Sequence, residues 1–83
     1  MDQIARTPKQ LGVAIRRQRR KLGLNQTTVG ERTMLRQATI SAVENGAPGT
    51  QLGTLCDILA ALDLELVVRS RTRAKSTEIE DVF

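Results

Sequence analysis

The stretch that decides the fold runs from residue 25 to residue 46 and reads NQTTVGERTMLRQATISAVENG. Asn25 is a favourable N-cap, because its side chain can accept a hydrogen bond from a free N–H group in the first helical turn. A short helix is therefore predicted over residues 26–33, with Val29 as its inward anchor. A tight connection leads to a second helix, predicted over residues 37–45. The two helices form a helix-turn-helix in which the second helix protrudes as a rod.

The outer side of the second helix carries polar and small residues. Ile40 and Val43 lie three residues apart, so both are expected to face the core. The residues that then face outward near the start of the helix are Arg36, Gln37, Ala38, Thr39 and Ser41. A protruding helix fits the major groove of B-DNA, where Gln can contact adenine, Arg can contact guanine and a methyl group can touch thymine. We therefore interpret these residues as candidate base contacts on double-stranded DNA.

Other polar residues are candidates for contacts with the DNA backbone. Gln26 opens the first helix of the pair, where its amide and the free N–H groups of the helix can meet a phosphate. Thr27 and Thr28 can add hydroxyl contacts there. The remaining candidates are Arg17, Arg20 and Asn45. For the two arginines, the alternative interpretation is a solvated helix face.

A further helix is predicted to precede this pair. Thr7 can cap it, and Pro8 suits its first position because proline lacks an N–H group that would be unpaired there. Gly23 ends the helix, since glycine readily adopts the left-handed conformation. The core stripe is expected to comprise Leu11, Ala14, Ile15, Gln18 and Leu22. The opposite face is expected to carry Arg16, Arg17, Arg19, Arg20 and Lys21.

The last predicted helix covers residues 51–62 and is capped by Thr50. Its core side is expected to comprise Leu52, Leu55, Ile58, Leu59 and Leu62. Cys56 falls beside this stripe and is expected to be a small buried side chain. The fold class is therefore all-α, with four to five helices.

Residues 64–69 change from helical to alternating periodicity, which predicts a short β-strand. A lone strand needs a partner for its backbone groups, and the chain has no second strand pattern. We therefore expect the strand to pair with its copy across a homodimer, through Leu64, Leu66, Val67 and Val68. The alternatives are an extended tail or a fifth helix. The predicted boundaries are an N-terminal arm over 1–7, a DNA-binding and dimerisation domain over 8–69 and a flexible tail over 70–83.

Composition narrows the possible functions of this 83-residue chain, which bears a net charge of +4. Residues 1–46 hold nine Lys or Arg against three Asp or Glu, which favours binding to a polyanion, whereas residues 47–83 hold four against six. The absence of His and the single cysteine, Cys56, argue against a disulfide, a metal site, a cofactor and an enzyme. The absence of a long apolar run predicts no membrane contact and a cytoplasmic location.

Many positions of the central stretch resemble the lambda-repressor-like (XRE) helix-turn-helix family. The residues that carry the resemblance are Gln26, Val29, Gly30, Leu35, Gln37, Ile40, Ser41, Val43, Glu44, Asn45 and Gly46. The resemblance extends over residues 11–62 and implies a helical DNA-binding bundle in which Glu44 has a structural role. Met34 departs from the pattern, since many members have glycine there. A left-handed Met34 would cost about 1 kcal/mol, unless the turn is rearranged.

A narrower resemblance involves residues 37–41, the Glu44-Asn45 pair and residues 62–66, which are similar to HipB-type antitoxins. It implies a bacterial homodimer that represses its own operon at a near-palindromic operator and binds a HipA-type serine/threonine kinase toxin. It also implies that the C-terminal strands pair across the dimer and that the tail ends near an aromatic residue, as this chain does at Phe83. The protein is further expected to associate with the nucleoid when it is bound to DNA. The alternatives are a stand-alone or prophage-type repressor without a toxin, and an adaptor that has lost DNA binding.

Overall fold

The computed structural model describes residues 2–71, and this part of the chain contains four α-helices and no β-strand. The helices are α1 (Pro8–Lys21), α2 (Gln26–Thr33), α3 (Gln37–Glu44) and α4 (Leu52–Ala61). Helix α3 packs against both α1 and α2, and α4 packs against α2. The all-α fold class and the order of the four helices are confirmed.

The predicted start of α1 and α2 is confirmed at the level of hydrogen bonds. Thr7 Oγ1 accepts a hydrogen bond from the Gln10 N–H at 3.1 Å, and Gln10 Oε1 accepts one from the Arg6 N–H at 2.7 Å. At the start of α2, Asn25 Oδ1 accepts a hydrogen bond from the Thr28 N–H at 2.8 Å. These bonds satisfy N–H groups that lack a partner within the helix, so they hold both helix starts in place.

The core contains side chains from all four helices. Its buried apolar residues are Ile15, Val29, Ile40, Val43, Ile58, Leu59 and Leu62. Leu11, Leu24, Leu35, Leu55 and Leu64 pack around them. The inward orientation predicted for Val29, Ile40 and Val43 is therefore confirmed.

Helices α1 and α3 approach each other closely at Gly12. A β-carbon at Gly12 would lie 2.6 Å from the carbonyl oxygen of Val43, which is closer than van der Waals contact allows. Glycine is therefore required where α1 crosses the C-terminal end of α3. This crossing sets the position of α3, the predicted DNA-reading helix.

The predictions for α4 require three corrections. Thr50 is not the N-cap, because its hydroxyl donates to the carbonyl of Ala47 at 2.9 Å and Gln51 takes the cap position without a side-chain hydrogen bond. Leu52 is 67% exposed, and Cys56 is exposed rather than buried. Cys56 lies two residues, or about 200°, from the buried Ile58, so it points to the opposite side of the helix. On α1, Leu22 is also half exposed, because it lies beyond the last turn.

The strand predicted over residues 64–69 does not form in the single chain. The N–H of Leu64 donates to the carbonyl of Leu59 at 2.8 Å, and the Leu64 side chain packs against the core. Residues 65–71 then make no backbone–backbone hydrogen bond with any described residue. The described chain offers no neighbouring strand, and no fifth helix takes its place. Residues 72–83, which hold most of the predicted tail, lie outside the described part.

Candidate nucleic-acid interface

The turn between α2 and α3 is held in one conformation by its backbone. Met34 adopts the left-handed conformation with φ 59° and ψ 30°, and the N–H of Leu35 donates to the carbonyl of Gly30 at 2.9 Å. A β-carbon at Gly30 would lie 2.8 Å from the carbonyl oxygen of Leu35, so a larger residue would push α3 away. Met34 thus keeps the conformation that favours glycine, at a cost of about 1 kcal/mol. Its side chain is 93% exposed and meets no obstacle.

The predicted base-contacting residues are all accessible at the start of α3. Arg36, at the N-cap, is exposed together with Gln37 and Ala38, while Thr39 and Ser41 are half-buried. At about 100° per residue, Thr39 and Ser41 lie on opposite sides of Ala38. The five residues therefore form one surface along the outer side of α3.

The outer surface of α3 includes one residue that the sequence argument missed. Ala42 is exposed and follows Ala38 by four residues, so the two methyl groups lie one helical turn apart on the same side. Asn45 is also exposed and lies next to this strip, with its Nδ2 atom 3.4 Å from Ser41 Oγ. The spacing of four residues was the signal that could have identified Ala42.

A buried ion pair joins α1 to the end of α3. Arg19 Nε donates to Glu44 Oε2 at 2.6 Å, and Arg19 Nη2 donates to Glu44 Oε1 at 3.0 Å. Arg19 and Glu44 are only 8% and 5% exposed, and Arg19 Nη1 also donates to the carbonyl of Leu24 at 2.9 Å. The hydrogen bond with Glu44 raises the pKa of Arg19 above its usual value, although burial acts in the opposite direction. The pair is bidentate, so it fixes orientation as well as distance.

The prediction that Arg19 lies on the solvent face of α1 is therefore wrong. Arg19 follows Ile15 by four residues, so both lie on the same side of the helix, and Ile15 is fully buried. Arg19 lies within a run of basic residues, and its spacing of four residues from Ile15 was the only sequence signal that could have identified it as buried. The family resemblance implied a structural role for Glu44, and its buried ion pair with Arg19 is a structural contact of this kind.

Two glutamine side chains extend this ion pair to the surface of α3. Gln26 Nε2 donates to Glu44 Oε1 at 3.2 Å, and Gln26 Oε1 accepts a hydrogen bond from Gln37 Nε2 at 3.0 Å. A carboxylate only accepts hydrogen bonds, so Gln26 must present its NH₂ group to Glu44 and its oxygen to Gln37. The second N–H and the Oε1 atom of Gln37 have no partner among the described residues. These are the two groups that a bidentate contact with adenine uses.

The two arginines predicted to contact phosphate lie next to each other on the exposed side of α1, because residues three apart in a helix are separated by only about 60°. Arg19 marks the side that faces α3, whereas Gln18 marks the side that faces α4, because its Nε2 donates to the carbonyl of Leu62 at 3.0 Å. At about 100° per residue, Arg20 lies about 100° and Arg17 about 160° around the helix from Arg19. Both are exposed, and Arg20 is the nearer of the two to the side of α1 that faces α3.

The start of α2 lies beside the same surface. Thr27 is exposed and Thr28 is half-buried, with the Thr28 N–H already bonded to Asn25. The amide of Gln26 is shared between Glu44 and Gln37, so a phosphate contact would use its remaining amide hydrogen or its backbone N–H.

The described residues show neither a metal cluster nor a membrane span. Within residues 2–71, no group of three or more His, Cys, Asp or Glu could hold a metal ion. No helix in that part of the chain is long and apolar enough to cross a membrane.

Comparison with known proteins gives matches at the level of sequence family and solved structure. Residues 15–68 match the sequence model of a helix-turn-helix family. A solved HipB–O4 20mer complex is 31% identical, with a TM-score of 0.80 over 86% of this chain and 100% of that chain. A solved HipA–HipB–O2–O3 complex is 31% identical, with a TM-score of 0.79 over 86% and 100%. No curated protein matches this sequence. The resemblances predicted from the sequence are confirmed.

Proposed function

Because the chain belongs to the XRE-type helix-turn-helix family, with HipB structures among those it resembles, we propose that it is a sequence-specific DNA-binding antitoxin. It represses its own type II toxin–antitoxin operon and neutralises a HipA-type serine/threonine kinase. One of the similar structures contains HipA together with HipB, which supports this partner. The observation that carries the DNA-binding part is the hydrogen-bonded chain that ends at Gln37.

Base reading takes place along the outer side of α3. Gln37 contacts adenine with its free N–H and its Oε1, and Arg36 contacts guanine. Ala38 permits close approach, while Thr39 and Ser41 contact the bases on either side of it. The buried Glu44 orients Gln37 through Gln26, so the reading amide is held in place before DNA arrives.

Backbone contacts surround this reading surface. Gln26, Thr27 and Thr28 bind phosphate at the start of α2, where free helix N–H groups add to the attraction. Asn45 and the two arginines of α1 complete the set of backbone contacts. Arg20 contributes more than Arg17, because it lies nearer to the side of α1 that faces α3.

The active form is a homodimer on double-stranded, near-palindromic operator DNA. Residues 8–69 make up the DNA-binding and dimerisation unit, with the arm over 1–7 and the tail over 70–83 outside it. Residues 64–69 pair with their copy across a twofold axis, so that Leu64, Leu66, Val67 and Val68 join the two subunits. The unpaired backbone of residues 65–71 supports this pairing. Half-sites about 34 Å apart, or a multiple of that distance, match two copies of α3 related in this way.

Two measurements on the full chain test the proposal. The purified protein is expected to shift a duplex that contains the DNA upstream of its own gene, and to leave a scrambled duplex of equal length unshifted at the same concentration. A pull-down from native lysate with mass spectrometry is expected to recover a serine/threonine kinase. A shift without a kinase would identify a stand-alone repressor, whereas failure to distinguish the two duplexes would refute specific DNA binding.

A further inference from the structure

Helix α1 carries a row of basic residues along its exposed surface. The row, here called the α1 basic row, consists of Lys9, Arg16 and Arg20, all of which are exposed. At about 100° per residue, the three side chains lie within about 40° of one another around the helix, and the row is about 16 Å long. None of the three makes a salt bridge with a residue in the described part of the chain. Helix α1 contains no acidic residue, so no charge within the helix neutralises the row.

The row lies beside the contact between α1 and α3. Gly12 and Arg19 mark the side of α1 that faces α3, since the first adjoins the backbone of α3 and the second forms the buried ion pair with it. Arg16 lies about 60° and Lys9 about 80° from Arg19, so both are nearer to α3 than the two arginines predicted from the sequence. Lys9 also adjoins the end of α3, because a β-carbon at Gly46 would lie 2.7 Å from the Lys9 α-carbon.

The core shows that the row and the outer surface of α3 border each other. On α1, Ile15 is buried and lies about 40° from Arg19 in the direction opposite to the row. On α3, Ile40 is buried and lies about 40° from Glu44 in the direction opposite to Gln37. The two helices meet at Arg19 and Glu44 and share one core. The sides of the two helices that face away from this core are therefore adjacent.

The charge and the position of the row indicate which molecule it contacts. Exposed cations without acidic neighbours suit a polyanion, and the adjacent surface of α3 is the one proposed to bind DNA. One strand of B-DNA has a phosphate about every 3.4 Å of helix axis, so a row about 16 Å long spans several phosphates. The start of α2 lies on the same side, since Gln26 is bonded to Gln37. A single DNA strand can therefore run from the start of α2 along the row.

We infer that the α1 basic row binds the phosphate backbone of the DNA strand that borders α1, and that Lys9 and Arg16 contribute at least as much as Arg20. This inference rests on the proposed DNA-binding function and adds two phosphate-binding residues to it. Each phosphate contact releases counterions, so the row increases the salt dependence of binding. Contacts with phosphate carry no direct sequence information, so the row strengthens binding to specific and random DNA alike.

Salt-dependent DNA binding of the full-length protein tests the row. Fluorescence anisotropy measures Kd at several potassium chloride concentrations, with a duplex from upstream of the protein's own gene and with a scrambled duplex. Lys9→Gln and Arg16→Gln are each expected to reduce the slope of log Kd against log salt concentration by about one unit, and the double variant by about two. The matched control is Lys21→Gln, which removes one charge from an exposed position of α1 about 160° from Arg19. Its slope is expected to equal that of the natural chain.

A chemical change in the DNA tests the same contact from the other side. Duplexes are prepared with an uncharged methylphosphonate at one backbone position at a time. The natural chain is expected to lose several-fold in affinity at two or three neighbouring positions. The Lys9→Gln/Arg16→Gln variant is expected to lose little at those positions, because the contact is already absent. Equal losses for the two proteins at every position would overturn the inference.

Thermal unfolding separates phosphate binding from a structural role. Lys9 lies at the carbonyl end of α3, where a positive charge stabilises a helix. A reduced slope with an unchanged Tm supports the inference. A lowered Tm with an unchanged slope would assign Lys9 and Arg16 to the fold and overturn it.

The remaining outcomes separate this inference from the proposed function. Equal affinity of the natural chain for its upstream DNA and for the scrambled duplex would refute specific DNA binding, while the slope on either duplex still tests the row. Specific binding whose slope is the same in the natural chain and the double variant would overturn the row alone. Failure of the double variant to recover a kinase, with an unchanged slope, would assign the row to a protein partner and would also overturn the inference.

Discussion

Replacement of Glu44 by Ala is expected to destabilise the protein and to weaken its recognition of DNA. Glu44 accepts two hydrogen bonds from Arg19 and one from Gln26. Without the carboxylate, Arg19, which is only 8% exposed, keeps its charge with no acidic partner and retains only its hydrogen bond to the carbonyl of Leu24. The variant therefore tests whether one buried acid both stabilises the fold and orients Gln37, the residue proposed to contact a base.

The size of both effects follows from these contacts. Removal of one partner from a buried ion pair costs about 3–5 kcal/mol, because the other charge is left without compensation. For a domain of this length, each kcal/mol lowers the Tm by roughly 4–8 °C. Loss of the bond that orients Gln26 also leaves Gln37 free to rotate before binding. The ordering of such a side chain costs roughly 0.5–1.5 kcal/mol of binding free energy.

The assay combines urea denaturation with DNA binding at a temperature where the variant remains folded. Glu31→Ala is the matched control, because Glu31 is an exposed acid on α2, and its effect is expected to stay within about 0.5 kcal/mol. A double-mutant cycle with Arg19→Ala adds a sharper criterion. The double variant should cost clearly less than the sum of the two single variants, since it leaves no unpaired charge.

Three results would each refute a part of this reasoning. A cost for Glu44→Ala below about 1 kcal/mol would show that the ion pair is not buried as described. Additive effects of Arg19→Ala and Glu44→Ala would show that the two side chains do not act as a pair. An unchanged DNA sequence preference in a folded Glu44→Ala variant would show that Glu44 does not orient Gln37.

Three further predictions concern the interface and its turn. Gln37→Ala should cost roughly 1–3 kcal/mol of binding free energy and relax the preference at one base pair; equal losses on specific and random DNA in a gel-shift titration would contradict this. Arg20→Ala should reduce the slope of log Kd against log salt concentration by about one unit, and Arg17→Ala should reduce it less; the reverse order would show that Arg17 lies nearer to the DNA than Arg20 does. Met34→Gly should change the free energy of unfolding by less than about 1 kcal/mol, as measured by thermal unfolding. Glycine relieves the left-handed strain, but its greater entropy in the unfolded chain offsets this gain. A loss well above about 1 kcal/mol would show that the Met34 side chain makes stabilising contacts.

Local sequence signals predicted the helix-turn-helix well because its determinants are local. The Asn25 cap uses an N–H three residues away, and the turn at Met34 is closed by bonds within five residues. The inward orientation of Ile40 and Val43 follows from helical periodicity alone. The bounds of α2 and α3 and the inward orientation of their apolar side chains could therefore be predicted without knowledge of the other helices.

The failed predictions involve residues whose environment depends on another helix. Leu52 and Cys56 looked like core residues beside an apolar stripe, but the direction of the stripe is set by the contact with α2. Thr50 looked like a cap, but its hydroxyl is bonded to the carbonyl of Ala47 in the preceding loop. The strand over residues 64–69 depends on a partner outside the described chain, so a single subunit does not form it.

The sequence by itself determined that two short helices form a helix-turn-helix and that the surface of the second is suited to DNA bases. Its periodicity, caps and side-chain chemistry act over a few residues, so they can be identified without tertiary contacts. Only the tertiary structure decided that Arg19 is a core residue and that the amide of Gln37 is oriented by Gln26 and Glu44. These residues are up to 25 positions apart, and packing of α1 against α3 is what brings them within hydrogen-bonding distance.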